Sequence, residues 1–195
     1  MLILEVTQRY FQNAENKPTG LQKDASYNGY ILGNGSDTIG SSGCLLTAYT
    51  RIANAANATD GGKTFSPGDS NEVGIANSRF EKGSSGLKRD PSSLLSDLTG
   101  KKFSYSEKEV AIGPKSQSSL AKIVKELGND KTATYSIVGQ LSNGHYININ
   151  GVDADGNLEI SDTFHYNTGG GNRTIKDYNG DNVYVMQLRI VKVED

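Results

Sequence analysis

The sequence of 195 residues predicts an α+β fold in a single domain over 1–195. The helical part covers about 1–130 and an antiparallel sheet covers about 131–195. Two observations support this division. Apolar residues recur at helical spacing in the first part, and after Lys131 they alternate with polar residues, as is typical of strands. Because helices and strands are segregated along the chain, we expect the helices to cover one side of the sheet.

The clearest predicted element is a helix over residues 44–56. Ser41 or Ser42 can cap its start, and Asn57 can end it. Its apolar residues recur at i, i+3, i+4, i+7 and i+11, which places them in one stripe: Leu45, Ala48, Tyr49, Ile52 and Ala56.

Three more helices are predicted from capping residues and helix breakers. One follows Ser66-Pro67, and a short one covers 90–98, where Asp90 precedes a proline in the first turn. The last covers 116–127, with Gly128 as its C-terminal stop.

The second part of the chain predicts strands over 132–138, 145–152, 158–162 and 183–193. The pairing of the second with the third strand is open. A four-residue turn over 152–155 sets His145 opposite Asp162, whereas a tight turn at Asp155-Gly156 sets Asp162 opposite Ile149. A bulge could reconcile the two registers.

Composition excludes several classes of protein. The chain has 20 basic and 22 acidic residues and a net charge of −2, so it has no broad basic field for nucleic acid. The sequence contains no run of about 18 apolar residues, which is the pattern expected of a membrane-spanning helix. The single cysteine excludes an internal disulfide and a cysteine-ligated metal cluster.

Cys44, His145 and Asp162 are the candidate reactive residues. Cys44 opens the 44–56 helix, where free N–H groups and the helix dipole favour a thiolate. His145 begins a strand whose alternation places it on one face with Ile147 and Ile149, and we expect that face to pack on the helical part. Asp162 ends the next strand and could orient the imidazole of His145.

Two segments together resemble a known family. The first contains Thr38-Ile39-Gly40-Ser41-Ser42-Gly43-Cys44. The second contains Gly144-His145-Tyr146-Ile147 and Gly151-Val152-Asp153-Ala154-Asp155-Gly156-Asn157. The chain is similar over about 21–56 and 137–163 to the C39-like cysteine peptidases of the papain-like superfamily. The resemblance implies a papain-like fold, in which the helix of the nucleophile packs on an antiparallel sheet.

The resemblance also implies roles for individual residues. Cys44 would be the nucleophile, His145 the general base and acid, and Asp162 its orienting partner. Gln22 would donate to the oxyanion beside the backbone N–H of Cys44, although Gln8 and Gln12 also precede the cysteine. The expected substrate is a peptide or protein, and no metal and no cofactor is implied. Related sequences often carry proline after the acid, where this chain has Thr163.

Two alternatives remain beside the peptidase hypothesis. Cys–His folds of related shape cut peptidoglycan as amidases or endopeptidases, and a binding or adhesion module could keep the fold without activity. The Gly-, Asn- and Ser-rich composition favours a secreted or cell-surface protein, although no basic region and cleavage signal follow Met1. We expect a monomer that binds no nucleic acid.

Three other signals are weaker. The 153–157 segment is similar to the start of a calcium loop, but it lacks the later ligands and is better explained as a hairpin turn. His165 could pair with Asp162 on a metal, although a surface histidine is the preferred interpretation. The Gly169-Gly170-Gly171-Asn172 stretch is most simply a loop and could form one wall of a cleft.

Overall fold

A computed structural model describes residues 21–58, 62–110, 113–130, 132–164, 173–175 and 182–194. The helices are α1 (Ile39–Ser42), α2 (Cys44–Ala58), α3 (Pro67–Ala76), α4 (Ser92–Thr99) and α5 (Pro114–Asn129). The strands are β1 (Lys102–Glu109), β2 (Thr134–Leu141), β3 (Tyr146–Val152), β4 (Leu158–Asp162), β5 (Arg173–Thr174) and β6 (Val185–Glu194).

The strands form one antiparallel sheet in the order β1-β6-β2-β3-β4-β5. Helices and this sheet together make an α+β fold, which confirms the coarse class that the sequence predicts. The last strand of the chain lies between β1 and β2. The sheet therefore joins residues from both predicted parts of the chain.

Strand β1 lies in the part that was expected to be helical. Only Phe103 of its eight residues is buried, because β1 is an edge strand that pairs with β6 alone. Charged residues such as Lys102 and Glu109 are common on edge strands, where they discourage pairing with other chains. Strand β1 contains too few apolar residues to show the alternation that predicts a strand.

Helices cover both faces of the sheet, so the expectation that they lie on one side is wrong. Val138 and Val191 pack in a cluster with residues of α2 and α4. Their neighbours Ile137 and Ile190 point the other way and pack with Leu120 of α5. Because both rows of β2 and β6 are apolar, each face needs its own cover.

The helix boundaries agree closely with the sequence, with differences at the ends. Helix α2 begins at Cys44, but Ser41 and Ser42 belong to the preceding turn α1, which Thr38 caps. Ser66 caps α3 in a capping box with Asp69. Helix α5 continues through Gly128 to Asn129, so that glycine is not the stop.

Candidate active site

Cys44 occupies the first residue of α2, directly after a tight junction with α1. At this junction the N–H of Gly43 donates to the carbonyl oxygen of Ile39 at 2.8 Å. A Cβ atom at position 43 would lie 2.5 Å from that oxygen, so only glycine fits without moving the backbone. The junction sets the point at which α2 starts, and Cys44 remains partly exposed there.

His145 follows a turn that ends strand β2. The N–H of Gly144 donates to the Leu141 carbonyl oxygen at 2.9 Å, and Gly144 has a φ of +84°, which favours glycine. The N–H of His145 donates to Asn143 Oδ1 at 3.2 Å. Strand β3 begins one residue later, at Tyr146, so His145 stands at the mouth of the hairpin.

The apolar face of β3 packs on the helical part of the chain, as expected, but on a helix other than α2. Ile147 and Ile149 pack against α5, on the far side of the sheet from α2. It is Asn148 that faces α2, where its Nδ2 donates to the Ala48 carbonyl oxygen at 3.1 Å. His145 reaches the cysteine from the turn, outside the alternation of the strand.

Asp162 is buried at the end of β4. It lies opposite Ile147, which is midway between the two predicted registers, and a bulge between Ile149 and Gly151 produces this pairing. Asp162 Oδ1 lies 2.8 Å from His145 Nε2 and accepts from the N–H of Phe164 at 2.9 Å. The carboxylate and the imidazole therefore meet although they are not directly paired across the strands.

Asp162 and Cys44 both influence the pKa of His145. Burial lowers this pKa, but hydrogen bonds with Asp162 and with Cys44 raise it, and attraction to both groups adds to the rise. The net effect raises the pKa of His145 to about 9. Because Nε2 faces Asp162, the other ring nitrogen is the one available to the sulfur. The three predicted residues are thus brought together.

Gln22 lies in the same cleft, almost completely buried. Its backbone N–H donates to the Thr163 carbonyl oxygen at 2.9 Å, and its Nε2 donates to the Gly40 carbonyl oxygen at 3.2 Å. One N–H of the amide is left over, and the buried Oε1 has no hydrogen-bond partner among the described residues. Gln8 and Gln12 lie outside the described residues.

The cleft has a volume of about 860 Å³. Cys44 at the start of α2 and His145 in the β2–β3 turn both line it. Phe164 also lines the cleft, and its ring meets the imidazole of His145 edge-on at 6.0 Å between centroids. Phe164 therefore covers one side of the imidazole.

Sequence reasoning missed the contacts of two residues that hold the chain around Asp162 in place. Arg51 is completely buried, and its guanidinium donates to the carbonyl oxygens of Ser161 and Asp162 at 3.3 and 2.9 Å. Thr163, in the place of the family's proline, donates through Oγ1 to the Tyr146 carbonyl oxygen at 2.8 Å. Arg51 lies seven residues after Cys44 on the same helix, so a charged residue on the side of the nucleophile was the available signal.

Among the described residues, the remaining sequence signals contribute no metal site. Asp153 accepts hydrogen bonds from the backbone and side chain of Asn157, which makes the segment the expected hairpin turn. Within the described ranges no group of three or more His, Cys, Asp or Glu side chains could hold a metal ion. His165 and Gly169-Gly170-Gly171-Asn172 lie outside those ranges. No helix in the described chain is long and apolar enough to span a membrane.

Comparison with known proteins does not place the chain in a family. No protein-family model matches it, and no curated protein matches it. The functional argument therefore depends on the geometry of the residues described above.

Proposed function

We propose that this protein is a cysteine peptidase of the papain-like type, similar to the C39-like family, with Cys44, His145 and Asp162 as its catalytic triad. The observation that carries the proposal is the position of His145, which lines the same cleft as Cys44 and lies 2.8 Å from Asp162. A thiol, an imidazole and a carboxylate in this order are the groups that activate a sulfur nucleophile.

The first half of the reaction forms a thioester. The Cys44 sulfur, as a thiolate paired with the His145 imidazolium, attacks the carbonyl carbon of a peptide bond. The C–N bond breaks as His145 gives its proton to the leaving amine. Asp162 keeps the ring oriented, because its carboxylate is fixed by the N–H of Phe164.

The second half hydrolyses the thioester. Neutral His145 takes a proton from water, whose oxygen attacks the thioester carbonyl, and the acid product leaves as the thiolate returns. In both halves the oxyanion would be stabilised by the N–H of Cys44, which at the first residue of α2 has no acceptor within that helix. The remaining amide N–H of Gln22 is the proposed second donor, and one such donor contributes about 3 kcal/mol in comparable sites.

A Cys44→Ala variant tests the proposal. We expect it to keep the circular dichroism spectrum and melting temperature of the wild type but to lose hydrolysis of a casein-type substrate. Ser42→Ala is the matched control, since Ser42 also lines the cleft but carries no proposed role. Full turnover by Cys44→Ala would exclude the mechanism.

The substrate class is tested in the same experiment. Purified peptidoglycan is offered beside the protein substrate, because a Cys–His site of this geometry could cut either kind of amide. Fragments released only from the wall, and only with Cys44 intact, would move the assignment from peptidase to peptidoglycan amidase or endopeptidase. No Cys44-dependent turnover of either substrate would favour the binding module.

A further inference from the structure

Arg189 is a partly buried cation in the wall of the same cleft. It lies on β6, an inner strand of the sheet with β1 and β2 on either side. Its side chain lines the cleft beside Tyr146 and Gln187. A charged group in this position is fixed by the sheet and remains open to a ligand that enters the cleft.

Three hydrogen bonds hold the guanidinium of Arg189, and all three partners are neutral. Nε donates to Gln187 Oε1 at 3.0 Å, Nη1 donates to the Tyr49 hydroxyl at 3.3 Å, and Nη2 donates to the Tyr146 hydroxyl at 3.1 Å. Burial raises the pKa of Tyr49 to about 12, so that hydroxyl carries no charge at neutral pH. The guanidinium is oriented without being neutralised.

No ion pair in the described part of the chain includes Arg189. Glu107 is close enough to feel its charge, but the pKa of Glu107 is lowered chiefly by its hydrogen bond with Arg89. Glu107 also accepts a hydrogen bond from the Tyr105 hydroxyl. This carboxylate is therefore already bound.

Three carboxylates line the cleft itself, and all are exposed: Asp37, Glu81 and Glu109. Glu109 is separated from Arg189 by Gln187, whose Nε2 lies 3.5 Å from Glu109 Oε1. Water and salt screen exposed charges strongly, whereas a partly buried charge keeps more of its field. Arg189 therefore dominates the wall on which it lies.

Arg189 and the Cys44 sulfur face the same cleft. Tyr146 follows His145 directly, and its ring lies beneath the guanidinium, 5.0 Å from ring centroid to Cζ. Burial raises the pKa of Tyr146, Arg189 lowers it, and Cys44 raises it again. A single side chain, that of Tyr146, therefore connects the cation with the neighbourhood of the nucleophile.

We propose that Arg189 forms an anion-binding subsite that selects peptides with a carboxylate close to the scissile bond. The role in cleavage rests on the proposed peptidase function, but the binding of the carboxylate does not. The N–H groups that Arg189 does not use for Gln187, Tyr49 and Tyr146 would donate to the carboxylate. Because Arg189 forms no ion pair among the described residues, a ligand carboxylate would not have to displace one.

The test uses synthetic acetylated peptides of one neutral sequence, in which Glu or Gln occupies each position in turn. Each peptide is made with an amidated and with a free C-terminus. Cleavage by the wild-type protein is followed by mass spectrometry, and binding to the Cys44→Ala protein is measured by calorimetry. The variants are Arg189→Gln, Arg189→Lys and, as a control, Arg79→Gln, since Arg79 is paired with Asp97 and does not line this cleft.

At one position we expect the Glu peptide to be bound and cleaved at least about tenfold better than the Gln peptide. A hydrogen-bonded charge pair contributes about this much. The preference should disappear in Arg189→Gln, persist in part in Arg189→Lys and be unchanged in Arg79→Gln. If binding and cleavage improve only in peptides with a free C-terminus, the recognised carboxylate is the end of the chain. If the Glu preference is also present in amidated peptides, it is a side chain. Either result supports the subsite.

The subsite would be overturned if the wild-type protein cleaved all Glu and Gln peptides equally and the Cys44→Ala protein bound them equally. This outcome does not depend on whether the Arg189 variants fold. So would a Glu preference that survives in folded Arg189→Gln, or no binding of any peptide. Glu-selective binding without any cleavage would instead contradict the peptidase proposal and leave the subsite supported.

Discussion

His145 combines two opposing influences on its charge. The ring is mostly buried, which disfavours the imidazolium, yet contacts with Asp162 and Cys44 more than compensate and raise the pKa of His145 to about 9. At neutral pH the ring is therefore mainly protonated. In the proposed mechanism, this is the form that can pair with a thiolate and then protonate the leaving amine.

The pH dependence of kcat/KM should reflect this ionisation. Since the imidazolium is lost as pH rises through about 9, we expect kcat/KM to fall above that pH. Asp162→Asn removes an attraction that raises the pKa of His145, so the fall should move to lower pH. Peptide hydrolysis measured from pH 5 to 10 tests this. An alkaline limb that stays in place in Asp162→Asn would contradict the assigned partnership.

Helix α2 carries both the proposed nucleophile, Cys44, and an anchor for Asp162. Cys44 is its first residue, and Arg51, seven residues later, holds the carbonyl oxygens of Ser161 and Asp162. Asn148 adds a further bond from the sheet, to the Ala48 carbonyl oxygen. One rigid helix therefore fixes the sulfur relative to the strand end that bears the carboxylate.

We expect Arg51→Met to lower the free energy of unfolding by about 3 kcal/mol or more. The substitution removes three buried hydrogen bonds, which Arg51 donates to the carbonyl oxygens of Ser161 and Asp162 and to Asn148 Oδ1. Each hydrogen bond to a charged group contributes about 1.5–3 kcal/mol. Arg79→Met is the matched control, because Arg79 forms a surface ion pair with Asp97 that should contribute less than about 1 kcal/mol. Urea denaturation of both variants compares them, and equal losses would show that burial of Arg51 gives it no special role.

At the scale of the whole molecule, the sequence predicts what depends on local pattern. The stripe beginning at Leu45 located α2 and placed Cys44 at its start, and the change to alternating residues located the sheet. Strand β1 was not predicted, because an edge strand such as this one needs few apolar residues. The cover on both faces was missed because the second face is completed by α5, a distant helix.

The candidate site was predictable in part for the same reason. Cys44, His145, Asp162 and Gln22 were chosen from residue type and resemblance, and the fold brings all of them together. Their pairing depended on a bulge after Ile149, which no local pattern specified. Arg189 and Arg51 act through long-range contacts, so the sequence offered at most a weak signal for them.

Alkylation of Cys44 tests the central claim most directly, because it needs no substrate. We expect iodoacetamide at pH 6 to modify the wild-type sulfur at least about tenfold faster than in folded His145→Ala, since the imidazolium holds the sulfur as the reactive thiolate. Mass spectrometry of the single cysteine gives both rates. Equal and slow modification in the two proteins would mean that the sulfur and the imidazole do not act as a pair.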